Sequence, residues 1–127
     1  MPAPPKAPSP VATPLVTLRV DFAPGVRLGP GKADLLEGIR DTGSIAAAGR
    51  RMGMSYKRAW LLVETMNAMF AAPLVASSKG GRDGGGAELT EAGRTVLAAF
   101  RAMEEKLRTT AAAETATLVG LFRPADD

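Results

Sequence analysis

The chain has 127 residues, a formal net charge of +3 and a sequence pI of about 9.7. It holds no cysteine and no histidine, which excludes disulfides and thiolate metal sites and removes the commonest general base and metal ligand. The length fits one domain with its own core, and there is neither a bilayer-length apolar run nor the apolar run of a signal peptide, so the expected compartment is the cytoplasm.

Residues 1–14 hold six prolines among Ala, Ser and one Lys. So few apolar side chains cannot offset the entropy of ordering, and the segment reads as a disordered tail. Leu15-Val-Thr-Leu-Arg-Val-Asp-Phe22 is β-branched and alternates roughly with period two, which predicts a strand. Pro24-Gly25 and Gly29-Pro30-Gly31 then punctuate a loop. A helix is expected over Lys32 to Asp41, with Leu35, Leu36 and Ile39 as its apolar stripe and Gly43 as its stop. Ser44 suits the N-cap of a second helix, Ile45 to Met52, ended by Gly53. Ser55 suits the N-cap of a third, running to about Phe70 with Ala59, Val63, Met66 and Phe70 along one face. Pro73 to Ser78 and Ala87 to Leu89 read as two short strands around the glycine-rich loop Gly80-Gly-Arg-Asp-Gly-Gly-Gly86. Thr90 would cap a last helix to roughly Ala113, whose Val96, Phe100, Met103 and Leu107 recur at the spacing of a helix-packing seam. Residues 114–127 form a tail or a small docking segment, whose apolar Leu118, Val119, Leu121 and Phe122 either continue the helix or dock.

Charge is not spread evenly over this pattern. From Ser44 to Val63 there are four basic residues, Arg50, Arg51, Lys57 and Arg58, and no acidic one. Two short helices joined by Met52-Gly-Met-Ser55 have the form of a helix-turn-helix, whose second helix enters the major groove of DNA by its N-terminal residues. The hairpin that follows has the form of a wing. Its long loop lacks the Gly-Lys-Ser/Thr ending of a nucleotide-phosphate cradle and does not run from a strand into a helix. The expected fold is therefore mainly α with a small β-hairpin wing: a winged helix-turn-helix over 15–113, its long last helix (about 90–113) serving dimerisation.

Candidate DNA-contacting residues are Ser44, Arg50, Ser55, Tyr56, Lys57, Arg58 and Trp60, with Lys79 and Arg82 at the wing tip. Trp60 lies off the Ala59–Val63–Met66 stripe, which leaves two places for it: in the groove, or packed under the wing. Val96, Phe100, Met103 and Leu107 are the candidate dimer seam, although the same seam would serve equally to cover the chain's own core. The carboxylates are scattered without a close pair for shared acid–base work, so no enzymatic activity and no cofactor are expected. A protein-interaction module and a small oxyanion-binding protein are the rival readings.

The stretch Thr42-Gly-Ser-Ile-Ala-Ala-Ala-Gly, with Met52-Gly-Met-Ser-Tyr-Lys-Arg-Ala-Trp60, Met66-Asn67, Pro73-Leu-Val, the Gly80–Ala87 loop and Leu89-Thr-Glu-Ala-Gly93, resembles the N-terminal DNA-binding domain of ModE-type molybdate-dependent regulators. Its first part and Leu89-Thr-Glu-Ala-Gly93 are also similar to LysR-type regulators. The resemblance covers about residues 15–110. It implies a winged helix-turn-helix that dimerises through its outer helices and binds palindromic operators near genes of molybdenum uptake and use. Ser55, Tyr56, Lys57 and Arg58 would then open the recognition helix, and Lys79 and Arg82 would act from the wing. Full-length members carry C-terminal molybdate-binding modules, for which this chain is too short; an oxyanion effector such as molybdate stays open.

Overall fold

The structure is a computed structural model that describes residues 15–78 and 86–124. Two hairpins and five helices follow one another: β1 (Val20–Ala23), β2 (Val26–Leu28), α1 (Pro30–Thr42), α2 (Ile45–Arg51), α3 (Tyr56–Met69), β3 (Val75–Ser78), β4 (Gly86–Leu89), α4 (Glu91–Thr110) and α5 (Ala112–Leu121). The chain divides into a unit of residues 18–101 and a second unit formed, among the described residues, by 15–17 and 102–124.

The larger unit is mainly helical with two small hairpins, of which the sequence pattern predicts the second. Pro30 starts α1, where its missing N–H costs nothing, and Gly43 ends it in a left-handed conformation with its N–H donated to the Ile39 carbonyl at 2.8 Å. Leu35, Leu36 and Ile39 are fully buried, together with Ala48 of α2 and Ala59, Val63 and Met66 of α3. Small residues let these helices cross closely. A Cβ on Gly38 would stand 2.9 Å from that of Ala48, and one on Gly49 would stand 2.9 Å from that of Ala59. Leu74, Val75, Ala87 and Leu89 of the second hairpin and Leu97 and Phe100 of α4 complete the core.

Four sequence expectations need correction. The strand forecast over 15–22 is confined to β1, which pairs with β2, a strand absent from that reading. Pro24-Gly25 is the turn between them: Ala23 faces Val26, and Gly25 has a φ of +77°, the residue pair and sign that a type II turn requires. Three residues of β2 are too few to show an alternation, so the turn was the one usable signal. The last helix is divided. α4 stops at Thr110, after two consecutive β-branched threonines, and the chain continues as a separate helix, α5. Finally, Phe100 is 2% exposed and Leu97 beside it 4%, because this face of α4 covers the core of its own chain. Phe100 therefore offers a partner no surface. Val96 is half-buried against the same core, Leu107 is half-buried, and Met103 is exposed. The expected tail over 1–14 and the tip residues Lys79 and Arg82 lie outside the described residues.

In the second unit, the guanidinium of Arg108 donates to the Val16 carbonyl at 3.3 Å and lies 3.9 Å from the Glu104 carboxylate. No residue of α5 is buried.

Candidate nucleic-acid interface

The turn between α2 and α3 is set by backbone hydrogen bonds. The N–H groups of Met52 and Met54 both donate to the Gly49 carbonyl, and that of Gly53 to Arg50, each at 3.0 Å. Gly53 has a φ of +73°, a conformation that costs a residue with a Cβ about 1–2 kcal/mol. Serines cap both helices as the sequence indicates. Ser44 Oγ accepts from the Ala47 N–H at 3.0 Å, and Ser55 Oγ accepts from the Arg58 N–H at 3.1 Å. Ser55, Tyr56 and Lys57 are exposed, and the first-turn N–H groups of α3 other than that of Arg58 have no intrahelical acceptor. An anion placed there meets both those donors and the positive end of the helix dipole.

Tyr56, Lys57 and Arg58 follow at the exposed front of α3, and Arg50 is exposed at the end of α2. Most basic side chains of the larger unit are already engaged. Arg40 lies 3.0 Å from Asp41, and Arg51 reaches the same carboxylate at 3.5 Å. Hydrogen bonding and charge from Arg40, with a smaller share from Arg51, hold the Asp41 carboxyl below its ordinary range. Arg101 spans Asp34 and Glu37 from α4, and Arg19 pairs with Asp21. Lys32 donates to the Arg27 carbonyl, and burial followed by the nearby Arg27 charge lowers its pKa. Arg50, Lys57 and Arg58 alone among the cations of α1 to α3 have neither a carboxylate nor a carbonyl partner among the described residues. The positive charge of the helix-turn-helix is thus left unneutralised at one place, around the start of α3.

Trp60, one turn after Tyr56, is 42% exposed. Together they line a shallow notch of about 330 Å³ with Ser44, Ile45, Ala46, Ser77, Gly86 and Ala87. Trp60 therefore stands against the loop-side half of the β3–β4 hairpin with much of its ring open to solvent. Leu61 was not singled out in the sequence. It is 49% exposed on the outward face, one turn beyond Lys57. Its position off the Ala59–Val63–Met66 stripe was the available signal.

The hairpin is fixed to this surface by groups that the sequence shows only as motif letters. Asn67 Oδ1 accepts from the N–H groups of Leu74 (2.8 Å) and Val75 (3.0 Å), and its Nδ2 donates to the Val75 carbonyl at 3.1 Å. The Ala87 N–H donates to the Gly43 carbonyl at 3.0 Å, which ties β4 to the junction of α1 and α2. Thr90 Oγ1 donates to Pro73 at 2.7 Å and accepts from the Gly93 N–H at 3.0 Å. A Cβ on Gly93 would drive into the Leu74 carbonyl, so no other residue lets α4 start so close to β3.

Residues 33–94 match the family model of bacterial regulatory helix-turn-helix proteins of the lysR family. The chain is similar to the molybdenum-pterin-binding protein MopB of Rhodobacter capsulatus, at 50% identity over 63% of this chain and 30% of that protein. It is similar to the molybdenum transport protein ModE of Azotobacter vinelandii, at 41% identity over 71% of this chain and 33% of that protein. Similarity extends to the DNA-binding transcriptional dual regulator ModE of Escherichia coli K12, at 38% identity over 54% of this chain and 26% of that protein. The chain thus spans about a third or less of the length of these relatives. In fold it resembles the protein in the crystal structure of a CbnR_DBD–DNA complex, with a TM-score of 0.56 and 22% identity over 69% of this chain and 95% of that one.

Proposed function

We propose a function from one premise: residues 33–94 match the model of the bacterial regulatory helix-turn-helix family of the lysR type, and we read the chain as a member of it. It is a DNA-binding transcription regulator without enzymatic activity. The observation that carries this reading is the front of α3, where Tyr56, Lys57 and Arg58 are exposed and the two cations have no carboxylate to neutralise them among the described residues. In this account α3 enters the major groove. Lys57 and Arg58 meet base edges or phosphates, Arg50 meets the flanking backbone, and Ser44 and Ser55 hold the two helix starts against the duplex. Lys79 and Arg82 extend the interface from the loop between β3 and β4.

The relatives point to the genes served. Their names concern molybdenum transport and molybdenum-pterin binding, and we place the targets of this chain in molybdenum metabolism. We also read the protein as a homodimer. Met103 of α4 is 45% exposed, and α5 leaves Leu118 at 69% and Leu121 at 79%. A helix apolar on so much of its surface is usually covered by another. These side chains, with Leu107, replace Phe100 as the proposed dimer surface.

Selection of bound fragments from genomic DNA tests the function and names the targets. The wild-type chain is expected to enrich short palindromic sites, and Lys57→Ala/Arg58→Ala to bind them at least tenfold more weakly while keeping its thermal stability. A wild-type chain that enriches nothing, or a double variant that binds as tightly as wild type, contradicts the proposal.

A further inference from the structure

The outward face of α3 is less polar than a surface that reads DNA by hydrogen bonds alone. Tyr56 is 57% exposed, Trp60 42% and Leu61 49%, and no side-chain hydrogen bond engages Tyr56 or Trp60 among the described residues. Tyr56 and Trp60 are four residues apart, hence stacked one above the other on the helix, and Leu61 adjoins them on the side of Lys57. On the same helix this apolar strip is flanked by Lys57 and Arg58, cations left without carboxylates among the described residues. An apolar protein surface is a poor fit for a patch whose N-terminal side carries unpaired positive charge, with Glu64, one turn beyond Trp60, the first acidic residue along the helix. A polyanion that displays apolar groups between its charges is a good one. In the major groove of B-form DNA the apolar group on offer is the C5-methyl of thymine.

We propose that Tyr56, Trp60 and Leu61 form a thymine-methyl-reading surface, so that the operator carries thymines opposite the first two turns of α3. This inference rests on the regulator reading and specifies what that site recognises. Lys57 and Arg58 anchor the helix on phosphates and purine edges, and the two rings and Leu61 exclude water from the methyl groups. The tyrosine hydroxyl is dispensable, because the ring covers the methyl. Trp60 stands beside Ser77, Gly86 and Ala87 of the hairpin, so the methyl it covers lies on the wing side of the half-site.

The test replaces thymine by deoxyuridine, which removes the methyl and leaves every hydrogen-bonding group in place. Sites are first selected from random duplexes with the wild-type chain, and each thymine is then exchanged in turn, with affinity read by fluorescence anisotropy at fixed salt. Wild type is expected to bind about fourfold more weakly for each covered methyl removed, the effect of exposing one methyl-sized group. Trp60→Ala should bind the thymine and uridine duplexes alike at one of these positions, and Tyr56→Phe should keep the wild-type pattern. Wild-type affinity that ignores uridine at every position overturns the inference, as do selected sites without thymine under α3. So does a uridine penalty that persists in full in both Trp60→Ala and Leu61→Ala, since other side chains would then read the methyls. Failure to select any duplex is a separate result that defeats the regulator reading itself.

Discussion

Two glycines in this chain are required for different reasons, and the difference is measurable. Gly53 takes a φ of +73° with open space around the missing Cβ, so only its backbone conformation resists substitution. Gly53→Ala should cost about 1–2 kcal/mol, and Gly53→Asn less, because a short polar side chain tolerates the left-handed region. At Gly93 the obstacle is the Leu74 backbone, which cannot swing aside as a flexible side chain would. Gly93→Ala should therefore cost about 3 kcal/mol or more, the upper end of overpacking, and asparagine there should be worse instead of better. Urea unfolding of the four variants checks the ordering. Equal effects of alanine at both sites would refute the distinction. Gly53 is legible in the sequence as the end of a helix, whereas Gly93 appears there only as part of the Leu89–Gly93 motif. The close approach behind Gly93 is not, because it joins residues far apart in the chain.

The hairpin after α3 is positioned by a side chain of the helix before it. Asn67 gives both faces of its amide to Leu74 and Val75 and thereby replaces a turn of regular hydrogen bonding where α3 ends. Asn67→Ala leaves two N–H groups of buried residues without acceptors, at a cost of about 1–3 kcal/mol each at most. Loosening β3 should also weaken duplex binding while Lys57 and Arg58 are intact. The measurement is a thermal melt alongside anisotropy titration, and a variant that melts early yet binds normally would detach the hairpin from the interface. Elements with a clear period were legible in the sequence: α1 through its Leu35, Leu36 and Ile39 stripe, α2 and α3 through their serine caps. Those whose form depends on partners were not. β2 is defined by its pairing to β1, and the face of α4 that carries Phe100 looks the same in sequence whether it covers the chain's own core or another protomer. At the candidate site the charges could be read off directly, whereas the exposure of Leu61 needed the orientation of α3.

Across the whole molecule, the charged reading surface belongs to residues 18–101 and the proposed dimer surface to the second unit. Leu118→Glu/Leu121→Glu is expected to be monomeric by analytical ultracentrifugation where wild type sediments as a dimer. The double variant should keep its helical content, since neither residue is buried. It should also bind palindromic duplexes much more weakly, because each protomer then meets its half-site alone. A wild-type monomer at micromolar concentration would remove the dimer without touching the role of α3. The central claim is that the unneutralised cations at the start of α3 face a phosphate backbone, and counterion release reads this directly. The decisive measurement is duplex affinity against salt concentration for wild type and for Lys57→Ala/Arg58→Ala. Wild type should show a steep linear fall in log affinity, and the variant a slope shallower by about 0.9 for each phosphate it no longer neutralises. Parallel lines for the two proteins, or an affinity indifferent to salt, would contradict the claim.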